Sequence, residues 1–512
     1  RVVFNGAAKA KSDTHTINDC LHKGLNLIPP IPIILLKFRL YEYALISDIK
    51  KAFHQIELHP DDRNVTKFFW IKDPHLPLKP PNLYEKRFCR VPFGLISSPF
   101  ILNATLRFHF QKYAPHLEKL LIDSFYMDNF VTSTPTLDTA STLFTEINDL
   151  FNKVSMEMAQ WGSNSPQIRQ LFSSTQTLQK LTVKVLGILW DQHNDVLFLN
   201  PKVTTQTIYT KASFVSTFSK LYDPLGWFSP LLVPIKALLK SVWDLKLDWA
   251  DTLPDDMHPI ITHYIKQLIL ATEVYLPRKM FILPFHPENV QLHIFVDASK
   301  IAYSAIAYFR LLHPQYNKAE IKIVMTKARS SPKNASTIPR LELIAATIGA
   351  RLIKFLKSHL DFDMPTYLWS DSKCVLTWIL RRKILPTFVE NRVQEIHSTP
   401  NVFYRYVPSE DNPADIGSRG STFHDLHTSI WWSGPPWLAQ PPHTWPDTDL
   451  HLKDHTDETP PLDLTEPVFY TLQDTLHTYA KVPSTPFYNR PLNDHAYARI
   501  QRKTKAKQKQ QE

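Results

Sequence analysis

Glycine is scarce in this sequence, at 10 of 512 residues. Loops that cradle phosphates need clustered glycines so that the backbone can close on the anion, and this composition nearly excludes them. Cysteine is scarcer still. Cys20, Cys89 and Cys374 are odd in number and widely spaced, which fits neither a disulfide framework nor a zinc module and suits a reducing compartment, cytosol or nucleus. No apolar run reaches the roughly 18 residues that a membrane span needs, and Arg1-Val2-Val3-Phe4-Asn5 lacks a signal-peptide pattern, so no membrane contact is expected. Nor is there a repeat of fixed period.

Proline, by contrast, is plentiful at 41 residues and supplies many rigid breaks. Hydrophobic residues make up 43% and aromatics 12%, enough for packed cores, and at roughly 150 residues per domain the length suggests about three domains. Charged residues, at 21%, speak against wholesale disorder. Lys and Arg outnumber Asp and Glu by 58 to 48, a net charge of +10. That balance favours contact with polyanions, although an indifferent basic surface would give the same count. The chain starts without Met inside what reads as a strand, and is expected to belong to a longer one.

Up to about residue 200 short strand-like runs alternate with loops. A helical pattern follows, with Leu231, Ile235, Leu238, Leu239 and Val242 at helical spacing. From Gln291 to about Gly420 alternating strands return. Past Trp431-Trp432 the chain fills with Pro, Asp, Thr and His and ends in Lys503, Lys505, Lys507 and Lys509 among glutamines, a composition expected of linker and tail.

Four carboxylates mark the third block. Leu292-His293-Ile294-Phe295-Val296-Asp297 reads as a buried strand ending in an acid, with Tyr303–Phe309 as its hairpin partner, which puts Asp297 at a sheet edge facing a cleft. Pro339-Arg340-Leu341-Glu342-Leu343 opens a helix whose apolar stripe runs through Leu341, Ile344, Ala345, Ile348, Leu352 and Phe355, placing Glu342 in the first turn. Tyr367-Leu368-Trp369-Ser370-Asp371 is a further strand ending in an acid, ahead of a helical Cys374–Trp378 segment. Asn412-Pro413-Ala414-Asp415 sets a fourth acid on a loop. Alone, each reads as a cap or a solvated group. Together they suit two-metal phosphodiester cleavage, in which converging carboxylates hold two Mg²⁺ roughly 4 Å apart.

A strand acid, a helix acid, a second strand acid and a further acid resemble the Asp-Glu-Asp-Asp set of ribonuclease H. The strings Val-Asp-Ala-Ser, Pro-Arg-Leu-Glu-Leu, Trp-Ser-Asp-Ser and Asn-Pro-Ala-Asp are similar to the RNase H-like domain of BEL/Pao-type retroelements. That resemblance implies Asp297, Glu342, Asp371 and Asp415 as catalytic metal ligands. It also implies a polymerase palm earlier in the chain. Ile46-Ser47-Asp48-Ile49-Lys50-Lys51-Ala52-Phe53 resembles the first palm motif, with Asp48 a metal ligand and Phe53 a steric gate against a 2′-hydroxyl. Arg90–Pro99 resembles the element that packs Pro92, Phe93 and Gly94 under the nascent base pair. Ser124–Val131 resembles the palm hairpin, where the family carries Asp-Asp and this chain carries Asp128-Asn129. Val185–Trp190 resembles the strand supporting the primer terminus, Arg1 aligns with a fingers residue touching the incoming triphosphate, and Leu221–Gly226 with Ser229-Pro230 matches the connector of the same elements. The resemblance covers about residues 1 to 445.

Asn129 would be a weak third ligand, because its neutral oxygen brings no charge to neutralise two cations. Polymerisation is therefore expected to be weakened. Asp138-Thr139-Ala140, the nearest string to an aspartic-protease signature, lacks the Gly and reads as a helix cap. His451 and His455 have the spacing of an integrase zinc module, but no Cys follows Cys374. Trp70, Trp161 and Trp243 read as core.

The expected fold is α+β: fingers and a right-hand polymerase palm over 1–200, a helical thumb or connector over 201–285, an RNase H-like mixed sheet with helices over 286–420, and a Pro-rich linker with a basic tail towards an integrase over 421–512. The expected function is retrotransposon reverse transcription with two-metal cleavage of RNA in RNA/DNA hybrids, using two Mg²⁺ or Mn²⁺ per site, in a cytoplasmic particle or the nucleus. RNA template, RNA/DNA hybrid, dNTPs and the protease and integrase of an intact polyprotein are the implied partners. Two other readings stay open: a decayed nucleic-acid-binding relic, and a nuclease whose palm serves as a hybrid clamp.

Overall fold

Among the described residues, apolar strands and amphipathic helices form four sheets and the helices between them, an α+β architecture. The computed structural model describes residues 3–9, 14–173, 178, 180–199, 205–313, 318–332, 337–380 and 385–447. Arg1, His451, His455 and the terminal lysines lie outside the described residues. Of the described residues, those within Arg1–Gly24 and Glu57–Ile101 form one compact unit, and those within Leu25–Ile56 and Leu102–Leu450 a second. Among them, no helix is long and apolar enough to cross a membrane.

In the second unit, β1 (Tyr43–Ile49) is buried at Ala44, Leu45, Ile46 and Ile49, hence on both faces, as a central strand must be. It lies between β5 (Asn129–Thr134) and β6 (Met158–Gly162), with β4 (Phe125–Tyr126) beyond β5. The helix Leu137–Asn152 buries Ala140, Leu143, Ile147 and Leu150 at intervals of three and four and contacts β1 and β5 with that stripe. Thr136 caps it reciprocally with Thr139. Asp138, expected as a cap, sits in the first turn, two residues inside the cap Thr136.

A second sheet has the order β10-β9-β8-β7, formed by β7 (Thr182–Val185), β8 (Ile188–Asp191), β9 (Val196–Phe198) and β10 (Leu276–Pro277). Val185–Trp190, expected as one strand, is a hairpin turned by Leu186 (φ 45°) and Gly187 (φ 102°), the paired left-handed conformation that a two-residue turn demands. The connector helices Lys211–Ser219, Ser229–Asp244 and Met257–Leu270 intervene before β10 closes on β9, Leu276 opposite Leu197. The next residue, Arg278, is fully buried. Its Nε and Nη2 grip Asp195 at 2.7 and 2.8 Å, while Nη1 donates to the carbonyls of Phe38 and Tyr41. The bidentate pair and the two carbonyls answer a charge whose burial would otherwise cost several kcal/mol.

A third sheet has the order β13-β12-β11-β14-β15: β11 (Val290–Ala298), β12 (Ala302–His313), β13 (Lys318–Ser330), β14 (Thr366–Ser370) and β15 (Val402–Tyr406). β11, β12 and β13 pair antiparallel, and β14 and β15 run parallel to β11. The expected β11–β12 hairpin is present, but Asp297 does not lie at a sheet edge. It sits near the end of the middle strand, because β14, far later in sequence, inserts on the other side of β11. The helix Ile338–His359 buries Leu341, Ala345, Leu352 and Leu356 towards this sheet.

Residues 421–447, expected as linker, contribute Leu426, Trp431, Leu438 and Trp445 to the core. Trp431 is fully buried, donates its Nε1 to the Trp227 carbonyl at 2.8 Å, and accepts at its own carbonyl from Tyr308 Oη at 2.8 Å. Arg310 holds the carbonyls of Leu438 and Gln440. One continuous apolar cluster runs from Ile33 beside the first of these sheets to Trp445 against the five-stranded one. Trp161 is core, whereas Trp70 and Trp243 are exposed.

In the first unit, β2 (Lys67–Ile71) and β3 (Leu83–Arg87) form a two-stranded hairpin.

Candidate active site

Three of the four expected nuclease acids meet. Asp297, Glu342 and Asp371 each offer a carboxylate oxygen within 4.8 Å of the others. Asp297 comes from β11, and Asp371 directly follows β14, its parallel neighbour. Glu342 is the fifth residue of the helix Ile338–His359, one position past the first turn in which it was expected. Adjacent parallel strands end together, and the helix packed on the same sheet adds the third group from near its N-terminus, so the acids converge by topology.

Crowding and burial set their protonation. Burial, with Asp371 and Asp415 adding repulsion against the Ser418 hydrogen bond, pushes Asp297 up to about 7. Glu342 is pushed up to about 9 by burial and by the neighbouring Asp297 and Asp371. Asp371 is also raised, chiefly by burial, against a hydrogen bond from Ser409 Oγ at 2.7 Å. Glu342 Oε2 is buried without a hydrogen-bond partner. Leaving such an atom unanswered is costly, and a cation is the partner that would relieve it.

Asp415 stands apart from the three. It lies not on a loop but in the helix Pro413–Arg419, capped by Asn412, and its carboxylate pairs with Arg419 one turn on. It still repels Asp297, Glu342 and Asp371 electrostatically. This helix is docked by Asn412 Nδ2, which donates to the Val296 carbonyl at 3.0 Å. Gly417 permits the close approach: a Cβ there would lie 2.2 Å from Ser304 Oγ. Ser418 donates from Oγ to Asp297.

In the palm, β1 and β5 bring Asp48 opposite Asn129. Met127, at φ 60°, turns the β4–β5 hairpin, and the Asp128 carbonyl accepts from the Ile49 amide at 2.8 Å. Asp48 and Asp128 thus stand at adjoining strand ends. Asn129 is exposed, and its Nδ2 donates to Asp128 Oδ1 at 3.1 Å. An amide hydrogen therefore occupies a carboxylate lone pair that a cation would use. Phe53 is buried at 6% exposure in the short helix Ala52–Gln55.

Pro92, Phe93 and Gly94 belong to the first unit. The Phe93 carbonyl accepts from the Phe4 amide at 2.9 Å, and Pro92 from Ser98 Oγ at 2.7 Å. Gly94 has φ +98°, and a Cβ there would lie 1.7 Å from the Phe4 carbonyl oxygen, so no other residue fits. Asn18 bridges this loop, donating to the Gly94 carbonyl and accepting from the Ile96 amide.

Sequence reasoning passed over Asn412, Ser409, Ser418 and Arg419. Asn412 carried a signal: Asn directly before Pro is a cap followed by a first-turn proline. Arg419 stands four residues after Asp415, the spacing of a helical ion pair, while Ser409 and Ser418 act through tertiary contacts that no local pattern announces.

Residues 14–188 match the reverse transcriptase (RNA-dependent DNA polymerase) family, and residues 210–372 match the Pao retrotransposon-like RNaseH-like domain. No curated protein matches the chain by sequence. Among solved structures it is similar to a foamy viral protease-reverse transcriptase described in complex with RNA/DNA hybrid, at 14% identity and TM-score 0.49, over 75% of this chain and 46% of that one. A form of the foamy viral enzyme described with double-stranded DNA is similar at 13% identity and TM-score 0.50, over 77% of this chain and 62% of that one, a likeness of fold. The chain thus spans under half the length of the first of these relatives. The two family matches, in this order along one chain, make it a BEL/Pao-type retrotransposon Pol protein, with a reverse transcriptase region followed by an RNase H-like region.

Proposed function

We propose that this chain is a retrotransposon reverse transcriptase and ribonuclease H in which hybrid cleavage is the stronger activity. The observation that carries the reading is the convergence of Asp297, Glu342 and Asp371, two of them buried, with one Glu342 oxygen unanswered. Three carboxylates crowded in this way repel one another and suit hard divalent cations, which prefer oxygen ligands. Asp297, Glu342 and Asp371 would hold them, with Asp415 joining on release from Arg419. When bound, two Mg²⁺ or Mn²⁺ would activate a water and stabilise the leaving oxygen of a scissile phosphodiester. Ser418 and Ser409 orient the carboxylates by donating to Asp297 and Asp371. RNA in an RNA/DNA hybrid is the proposed substrate, recognised through backbone and 2′-hydroxyls.

In the palm, Asp48 and Asp128 are the proposed ligands for RNA-templated synthesis from dNTPs, with Phe53 as the steric gate and Pro92, Phe93 and Gly94 near the nascent pair. Asn129 removes one negative charge there and donates to Asp128. That contact favours a second reading, a nuclease whose palm serves as a hybrid clamp. In an intact element, protease and integrase parts of the polyprotein would be further partners, in a cytoplasmic particle or the nucleus.

A paired assay with Mg²⁺ or Mn²⁺ tests both readings: primer extension on an RNA template and cleavage of a labelled hybrid, each beside Asp297→Asn and Asp128→Asn. Cleavage lost with Asp297→Asn alone, and extension lost with Asp128→Asn alone, is the expected result. Hybrid binding without either activity would leave a relic.

A further inference from the structure

Arg419 ends the helix Pro413–Arg419, and its backbone is fixed on both sides. Before it, Ser418 is fully buried, donates from Oγ to Asp297 and accepts at its carbonyl from Ser299 Oγ at 2.8 Å. After it, Gly420 at φ +86° lies so close to the connector helix Ser229–Asp244 that a Cβ would meet Pro234 Cγ at 2.6 Å. The Ser421 amide then donates to the Pro230 carbonyl of the same helix at 3.1 Å. Only the side chain of Arg419 is left to swing. It is 69% exposed and lies across Asp415, with Nε donating to Oδ1 at 2.5 Å.

Of the four expected acids, Asp415 is the one whose oxygens do not join the meeting of Asp297, Glu342 and Asp371, and it is the one that already carries a cation. The guanidinium also stands in the field of that centre. The hydrogen bond and charge of Asp415, followed by the charges of Asp297 and Asp371, hold its proton more tightly than usual. Three converging carboxylates offer oxygens for one divalent cation, and a second, roughly 4 Å away, needs an oxygen of its own. Asp415 is the acid that remains to supply it. A cation arriving there meets Arg419 in two ways, because the guanidinium covers Oδ1 and its charge repels. Exposed pairs at this helical spacing are weak and screened by salt, so a divalent ion can displace the arm from its anchored backbone.

We infer that Arg419 is a tethered cation that holds the place of the second divalent ion at Asp415, so that the two ions load unequally. The first enters at Asp297, Glu342 and Asp371, and the second enters only on displacing Arg419. The inference rests on the nuclease reading and adds to it the residue that sets the order of loading. The alternative is an ordinary surface pair with no influence on the centre.

The test is Mn²⁺ binding to the full chain at fixed ionic strength without nucleic acid, with free Mn²⁺ read by electron paramagnetic resonance. The parent carries Asp48→Asn and Asp128→Asn, so that ions at the palm are not counted. Arg419→Gln, Arg419→Lys and Asp415→Asn are compared with it. Arg351→Gln, which removes an exposed arginine paired with Glu395, controls for the loss of one positive charge from the chain. The parent is expected to bind one ion tightly and a second weakly, and Arg419→Gln to tighten the second by about tenfold while leaving the first unchanged. Arg419→Lys, which keeps the charge without the planar fork, falls between them. Asp415→Asn loses the second ion alone. A second constant that is the same in parent and Arg419→Gln, or that Arg351→Gln moves as far, overturns the inference in favour of the surface pair. So does a parent that takes both ions with equal affinity, a result that leaves the nuclease reading standing. A parent that binds no Mn²⁺ defeats the nuclease reading and the inference with it. Should Arg419→Gln not fold, Arg419→Met, which keeps the apolar stem, decides by the same constants.

Discussion

The nuclease and palm centres share one unit of the fold and nearly the same raw material, yet they differ in how their acids are held. Around Asp297 the carboxylates are buried, crowded and braced by serines and by Asn412. Around Asp128 the corresponding place at the turn is taken by an exposed amide that satisfies its neighbour with a hydrogen bond. Crowded buried charge is unstable without a cation, so the first arrangement stores a demand for one. The second has answered part of that demand internally.

The largest expected break in this contrast is Asp297→Asn. Removing a ligand that supports several kcal/mol of transition-state stabilisation lowers hybrid cleavage on the order of 10³-fold, measured as initial rate with saturating Mg²⁺. Primer extension should be unmoved. Trp431→Ala comes next: deleting a fully buried indole costs about 3–5 kcal/mol of stability. Urea denaturation should show it, and an unchanged midpoint would return residues 421–447 to the status of a linker.

Asn129→Asp sharpens the comparison from the palm side. Restoring the charge and removing the donor to Asp128 should raise extension by at least about tenfold, roughly 1.4 kcal/mol at the barrier, with cleavage constant. No gain would place the palm's deficit elsewhere.

The smallest expected effect is on pH dependence. Asp297 and Glu342, raised to about 7 and about 9, bind protons more tightly folded than unfolded. Their contribution to the stability of cation-free protein is full below the unfolded carboxylate range and is lost as pH rises through 7 and 9. Melting temperature without Mg²⁺ should therefore fall from pH 6 to pH 9, and Mg²⁺ should flatten the decline.

Much of the nuclease half was legible because its strands are short apolar runs ending in acids and its long helix follows a proline with a regular stripe. Strand order was not legible. Nothing near Asp297 indicates that β14 will pair beside it, and so a central strand reads as an edge. Asp415 was placed on a loop because Pro413 reads as a break, though proline after an Asn cap starts a helix equally well. The tail from Trp431 to Trp445 read as linker from its prolines, while its tryptophans, each filling a place in the core, outweighed them. In the palm, the turn at Leu186-Gly187 lay inside an apolar run that masked it.

The pairing of Leu276 with Leu197 has a further consequence. The three connector helices leave the small sheet and come back to it side by side, with Arg278 fastening the return to Asp195. In evolutionary terms that is an excursion with a closed mouth. Segments with neighbouring ends can be lengthened, shortened or exchanged without altering the framework that carries them. Because the helix Ser229–Asp244 also packs against β13 and the helix Pro413–Arg419, variation in length among relatives should fall in the loops between the connector helices, while Asp195 and Arg278 change together or not at all.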